Sequence, residues 1–355
     1  MAHLFSPLKI KGIELKNRIV VSPMCEYSST DGFANNWHLV HLGARAVGGA
    51  GLIITEATAV SPEGRISYGD LGIWKDEQIA KLKEITNFIE EQGAFAGVQL
   101  SHAGGKASHE VPWKGGKEIA AEHENGWEAL PPSPIAFTAS ETAPLELDNE
   151  GIDKIIADFR SAAVRSLAAG FRVIELHGAH GYLIHEFLSP LSNQRTDGYG
   201  GSFENRIRFL LEIIAAVQEV WPEEYPLFVR ISATDWTEGG WTIDDSIAVA
   251  KVLLDKGVDL IDCSTGGNVA GAKIPLKPGY QVEFAEAVKK QVDILTGAVG
   301  LITEAKQANE IIESGQADVV LLARELLRDP HFPLRAAHEL GVETKWPSQY
   351  ERAQW

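Results

Sequence analysis

Phe171-Arg172-Val173-Ile174-Glu175-Leu176 runs straight into His177-Gly178-Ala179-His180-Gly181-Tyr182-Leu183, and that junction decides how the rest of the chain is read. The first part is short, apolar and β-branched at its centre, and it follows a helix-stopping glycine at Gly170, which is the pattern of a buried strand. His177 falls where that strand is expected to end. Two histidines and a nearby tyrosine then put two ring N–H groups and a phenol at a strand rim, where α/β proteins do their chemistry. The same three residues would also serve as a loop cap and a packed ring, and alone they are not a metal-ligand set. What flanks them decides.

Working outward, apolar strand patterns alternate with helical spacing in both directions. The strands expected are Arg18 to Met24, Leu52 to Ala57, Phe95 to Leu100, the Phe171 to Leu176 run, Leu227 to Ile231, Leu260 to Cys263, Ile294 to Thr296 and Val319 to Ala323. Amphipathic stretches such as Trp37 to Val47, Asp76 to Gln92, Ile152 to Ala169 and Val282 to Gln291 separate them. Strands apolar on both faces need helices over both, and eight βα units close into an α/β (β/α)8 TIM barrel. The alternative is an open doubly wound sheet, but no Gly-x-Gly-x-x-Gly follows the first strand. Leu8 to Lys16 alternates apolar and polar residues about Gly12, giving an N-terminal β-hairpin that caps one end. From Gly105 to Pro144 the pattern lapses into Gly, Pro, Ser, Glu and Trp, too long for an ordinary βα loop, so a lid insertion after strand 3 is expected over about 105–144. The whole of 1–355 reads as one domain with a tail at 345–355.

Composition narrows the function. A net charge of −17 and a pI near 5.1 leave no basic footprint for nucleic acid or an anionic membrane. Two cysteines, Cys25 and Cys263, are too few for a disulfide scaffold, a four-cysteine zinc site or a cysteine-ligated iron–sulfur cluster. Met1 to Ile10 lacks the apolar run of a signal peptide and no stretch is long enough to span a membrane, which points to a cytoplasmic protein.

In a barrel the working groups follow the strands, and here those positions hold Cys25 and Tyr27, Ala57, Gln99, the two histidines, Arg230, Gly300 and Arg324. A glycine-rich turn at Gly300 offers backbone N–H groups, and Arg324 after the next strand can grip phosphate oxygens bidentately. Arg230 ends a buried strand and needs an anion: a barrel carboxylate such as Glu175, or a ligand on which negative charge develops. Three readings follow: a flavin enzyme, a metal-dependent hydrolase using His177 and His180, and a non-catalytic barrel that binds a phosphate ligand. The second lacks further ligands at other strand ends, the third leaves the His-His-Tyr cluster idle, and colour separates the first from both.

The motifs Ser22-Pro23-Met24-Cys25 with Tyr27, Glu56-Ala57-Thr58, Gln99-Leu100-Ser101-His102-Ala103-Gly104, His177 to Leu183, and Asn193-Gln194-Arg195-Thr196-Asp197-Gly198-Tyr199-Gly200-Gly201-Ser202 occur in order over nearly the whole chain. Together they resemble the old yellow enzyme family of FMN-dependent ene-reductases. Cys25, His180 and the C-terminal Gln349-Tyr350-Glu351-Arg352 are similar to its thermophilic-like branch of NADPH dehydrogenases and xenobiotic reductases. The resemblance implies non-covalent FMN, with phosphate at Gly300 and Arg324, the ring over Ser22, Pro23, Met24 and Ala57, Gln99 at the pyrimidine edge and Arg230 near N1. Lys106 would lie near the ring or phosphate. It implies hydride transfer from NADPH (or NADH) to the flavin, then to the β-carbon of an activated alkene such as an enone, or to a nitro compound. His177 and His180 would bind the substrate oxygen, Tyr182 would protonate the α-carbon, Cys25 would tune the flavin, and Tyr27 would line the substrate site. In similar chains the tail enters a neighbouring subunit's site, so a homodimer or a homotetramer built as a dimer of dimers is expected, with Arg352 and Trp355 acting in trans. Glu26 puts a charge where the family pattern is uncharged, and the lid residues Trp113 and Trp127 give no readable specificity.

Overall fold

The computed structural model describes residues 2–355. A hairpin of β1 (Leu8–Ile10) and β2 (Ile13–Leu15) comes first, paired Leu8 to Leu15. Eight parallel strands follow and close on themselves: β3 (Ile19–Val21), β4 (Leu52–Ala59), β5 (Phe95–Ser101), β6 (Val173–Gly178), β7 (Leu227–Ser232), β8 (Leu260–Ser264), β9 (Leu295–Ala298) and β10 (Val319–Leu322), with β10 beside β3. Around them stand α1 (Asn36–Val47), α2 (Ile79–Glu91), α3 (Asn149–Ala168), α4 (Leu183–Leu188), α5 (Phe203–Gln218), α6 (Ile243–Asp255), α7 (Val282–Gln291), α8 (Ala305–Glu313), α9 (Arg324–Arg328) and α10 (Phe332–Glu339). The expected TIM barrel, hairpin and insertion after the third barrel strand are all present.

Two apolar layers hold this together. Outside the barrel, residues such as Ile53, Val98, Ile174, Leu176 and Ile261 pack under helix residues Phe159, Phe209 and Leu253. Inside it, Val20, Leu52, Ile54, Val173, Phe228, Leu260 and Val319 form a separate core, and Leu8, Ile10, Ile13 and Leu15 of the hairpin plug it. Each fully buried Leu or Phe removed from water is worth about 1.5–3 kcal/mol, so the plugged end is the dry, structural end. The polar inward residues are therefore at the other end, where the strands finish.

Helix ends follow their chemistry. Asn35 caps α1 by accepting from Trp37 N–H while His38 returns a bond to the cap, and Thr242 and Asp245 make the same reciprocal pair on α6. Departures from the sequence reading are local. The first strand is only Ile19–Val21, because Pro23 has no N–H to continue a ladder. The Asp76 helix begins as a 3-10 turn. The short helices α4 and α9 were not expected, since six and five residues carry too little periodicity to register. The insertion has only scattered 3-10 turns and one bridge, His109 to Glu118, and is pinned where Trp127 Nε1 donates to Glu63 O (2.9 Å) and Arg65 lies between the Trp74 and Trp127 rings. Among the described residues, no helix is long and apolar enough to cross a membrane.

Candidate active site

β6 sets the first part of the site. Its ladder to β7 runs on through His177 opposite Arg230 and Gly178 opposite Ile231, so His177 lies inside the strand rather than at its expected end. His177 shares the register side of Glu175 and points with it into the barrel. His180 and Gly181 then turn in the left-handed region, at φ +62° and +72°. A Cβ on Gly181 would sit 2.3 Å from Gly267 O, so only glycine fits. A left-handed histidine costs about 1–3 kcal/mol unless the surroundings fix it. They do: His180 N–H donates to Ser232 Oγ (2.9 Å), and Gly181 N–H to His185 Nδ1 (2.9 Å). His185 Nε2 in turn faces Asp235 Oδ1 at 3.0 Å, both fully buried. Tyr182 leaves this turn at the start of α4.

The hydrogen bonds decide what the rings offer. Ala179 N–H points at His177 Nδ1 (3.4 Å), which puts the His177 proton on Nε2. Ser264 Oγ is 2.7 Å from His180 Nε2 but 3.4 Å from Gln281 Oε1, so its hydroxyl favours the imidazole and leaves the His180 proton on Nδ1. Among the described residues, each histidine thus has one ring N–H with no protein partner. The rings stand edge to face, 5.2 Å apart between centroids, with Tyr182 5.0 Å from His177. Burial, then Arg230, holds both imidazoles well below their usual range, and burial holds the Tyr182 phenol well above its own. At neutral pH the cluster is two neutral donors and a protonated phenol.

Beside it, Gln99 Nε2 donates to Glu175 Oε1 (2.8 Å), and Arg230 Nε lies 2.9 Å from Asp262 Oδ2. The sequence offered Glu175 as the partner of Arg230; the structure assigns Asp262, which is opposite Arg230 in register. Burial and the neighbouring Asp262 push Glu175 upward, so it is a neutral acid while Asp262 balances the arginine. The lone charge in the apolar Leu260–Cys263 run was the signal available for Asp262. Gln99 keeps its amide oxygen and one N–H for a ligand.

Arg230, Ser264, Tyr280, Gly300 and Arg324 line one cavity of about 200 Å³. Gly300 has φ +115°, and a Cβ there would meet Gln281 Nε2 at 2.8 Å, so the turn is shaped for close approach. Among the described residues, Arg324 has no carboxylate partner, whereas its neighbour Arg328 is committed to Glu325. An uncommitted guanidinium and a glycine turn at one end, with Arg230 at the other, fit a flavin mononucleotide with its phosphate outward. Another cavity, of about 700 Å³, is at the opposite end of the barrel between Lys16, Gln92 and Trp346 and holds none of these groups.

The wall across from the histidines comes from the Ser22-Pro23-Met24-Cys25 loop. The Cys25 thiol meets the Tyr27 hydroxyl and the Ala57 N–H, and burial with Asp70 and Glu56 nearby pushes it well up, which makes it a neutral, weakly nucleophilic sulfur. A register shift in β4 between Ile54 and Ala57 turns Glu56 so that it accepts from Glu26 N–H (3.0 Å) and faces His38 Nε2 (3.3 Å). Glu26 itself points away, taking Trp37 Nε1–H (2.9 Å) and facing His41 (3.3 Å). Trp113 of the lid stands 5.9 Å from the Tyr27 ring.

Three sequence-derived residues fall elsewhere. Arg352 and Trp355 lie outside α10, with Trp355 against His338 and Trp346 and 65% exposed, so within one chain they do not meet the cluster. Lys106 is not among the phosphate-cavity residues; its Nζ donates to His180 O and Gly267 O, both 2.9 Å. Among the described residues, no three His, Cys, Asp or Glu side chains group as metal ligands.

A family model described as NADH:flavin oxidoreductase / NADH oxidase matches residues 3–343. An NADPH dehydrogenase of Bacillus cytotoxicus is 53% identical over 354 residues, covering 99% of this chain and 96% of its own. Among solved structures, morphinone reductase matches with a TM-score of 0.79 and 28% identity over 98% of this chain and 91% of its own. 2-Naphthoyl-CoA reductase matches with a TM-score of 0.86 and 27% identity over 96% of this chain, which spans 52% of that longer protein.

Proposed function

The chain belongs to the NADH:flavin oxidoreductase / NADH oxidase family, and from that premise we propose that it is an FMN-dependent ene-reductase. It takes hydride from NADPH in preference to NADH and reduces activated C=C bonds of α,β-unsaturated carbonyl compounds, and nitro compounds as well. The observation that carries this reading is the grouping of two unpartnered imidazole N–H donors and a protonated phenol within 5.2 Å, beside a cavity that fits FMN. Hydride chemistry is what FMN supplies when bound. The chain's residues do the rest. His177 Nε2–H and His180 Nδ1–H hold the carbonyl oxygen, drawing electron density off the β-carbon, and as neutral donors they have no proton to lose to it. Tyr182 delivers the proton to the α-carbon. Arg230, kept in place by Asp262, would set a fixed positive charge beside the bound flavin, Gln99 would offer it an amide, and Ser22, Pro23, Met24 and Ala57 would line it. Gly300 and Arg324 would hold the phosphate.

The test is direct. Purified protein should be yellow, should release a flavin of the mass of FMN on denaturation, should bleach with NADPH without air, and should recover its colour on adding 2-cyclohexenone. Colourless protein, FAD, or a bleached form that no enone reoxidises would overturn the proposal; running NADH in parallel decides the nicotinamide.

Cys25 carries a second expectation. As a neutral sulfur beside Ala57 it acts on the ring's electronics rather than as a nucleophile, so Cys25→Ser should shift the flavin midpoint potential while the protein stays folded and yellow. An unchanged potential in a spectroelectrochemical titration would reduce Cys25 to packing.

The tail supports assembly. Arg352 is exposed and Trp355 is spread on the outside of α10 with two aromatic neighbours, which leaves both free to complete the substrate site of another copy. A homodimer or a dimer of dimers is expected in sedimentation at assay concentration, with Arg352→Ala raising KM for the enone. A fully active monomer would end this part of the proposal.

A further inference from the structure

Lys106 is a half-buried lysine whose ammonium has no ion pair among the described residues. Its Nζ donates to His180 O and Gly267 O, and it stands 4.3 Å from the centre of the Phe137 ring and 5.1 Å from that of Tyr182. The carboxyl groups in its surroundings are otherwise engaged: Glu186 takes Gly105 N–H and is pushed up to about 8 by burial, and Glu141 faces His109. Two carbonyls alone are poor reason to bury a charge, since a neutral amide would satisfy them at lower desolvation cost.

The geometry of those carbonyls supplies the reason. His180–Gly181 and Gly267 approach so closely that a Cβ on Gly267 would lie 2.6 Å from His180 Cα, and all three residues have positive φ. Two carbonyl dipoles brought to one point repel, and a cation between them removes the repulsion and ties the β6 turn to the β8 loop. The same cation rests on the Tyr182 ring, which orients the phenol, and reaches the lid through Phe137.

We propose that Lys106 is a positioning residue for the alkene-reducing half of turnover: it pins the His180–Gly181 turn to Gly267, fixes the Tyr182 ring, and holds a positive charge beside the place where the substrate's oxygen binds. This rests on the function proposed above. Burial brings the ammonium down only to about 8, so at neutral pH the charge is largely in place.

The test uses the FMN-loaded protein and p-chlorophenol, an oxygen ligand for the histidines that needs no turnover and is read as a long-wavelength charge-transfer band over the flavin. Lys106→Met should weaken phenol binding about tenfold or more and lower kcat for an enone more than it raises KM, the loss of one charge-assisted contact. Lys106→Arg, which restores charge and donors, should recover most of both. Should Lys106→Met be recovered without flavin, Lys106→Gln carries the same comparison, because it keeps N–H donors for the carbonyls and removes the charge. Wild-type phenol affinity and kcat in the uncharged variant, or an arginine variant no better than the uncharged one, would overturn the proposal. If the wild type reduces no enone yet phenol affinity still depends on Lys106, the function reading fails while the pinning of the oxygen-binding turn by Lys106 stands.

Discussion

Tyr182→Phe should leave flavin reduction by NADPH near its wild-type rate and slow reoxidation by an enone by about 10² to 10⁴, the range of a lost general acid. The asymmetry follows from what each half needs. Taking hydride from a nicotinamide requires no proton from Tyr182; finishing the alkene does, because hydride added at the β-carbon leaves the α-carbon to be protonated. Burial holds the phenol far above its usual range, so it is protonated at any working pH, and among the described residues its hydroxyl has no protein partner to compete for that proton. Phenylalanine keeps the ring that packs 5.0 Å from His177 and removes only the proton. A strongly activated alkene such as a maleimide can take its proton from water and should lose less than cyclohexenone. Stopped-flow traces decide it: equal slowing of both half-reactions would mean that Tyr182 shapes the site rather than serving as its acid.

Arg324→Ala should weaken FMN binding by about 2–3 kcal/mol, or roughly 30- to 150-fold, the worth of a charge-assisted bidentate contact to phosphate. Arg324 is the first residue of α9 and lines the same cavity as Gly300 and Arg230, yet among the described residues it makes no ion pair. Glu325 is taken by Arg328 and Arg335, so it cannot substitute for a ligand at Arg324. Titrating apo-protein with FMN and following flavin fluorescence gives the affinity. An unchanged Kd would move the phosphate to another part of the barrel.

The sequence is most legible where one pattern extends over many residues. The alternation of apolar strands and helices places all eight barrel strands, and Val282–Gln291 matches to the residue because Gln291 is followed by a β-branched exit and the helix face is regular. Short elements are not legible: α4 has six residues, every one buried, and so shows no amphipathic period. Partners across strands are hidden for a different reason. Arg230 could be seen to need an anion, but which carboxylate supplies it depends on the β7–β8 register, and register is a property of two strands rather than one. Lys106 is the extreme case, since its contacts are backbone carbonyls 74 and 161 residues away, and backbone oxygens leave no mark on composition. The tail's position beside α10 likewise needed the fold.

The hairpin plug dictates when this protein can fold. Residues 8–15 are made before the strands they cap, but the walls they seal include Val319 of β10, and β3 is paired on one side by β10 itself. Leu4 N–H is bonded to Asn309 Oδ1 across 305 residues. The apolar face of the earliest hairpin therefore has nowhere native to go until almost the entire chain has been made, and ring closure joins the first barrel strand to the last. Such a topology folds late and slowly, with an apolar N-terminal segment exposed meanwhile.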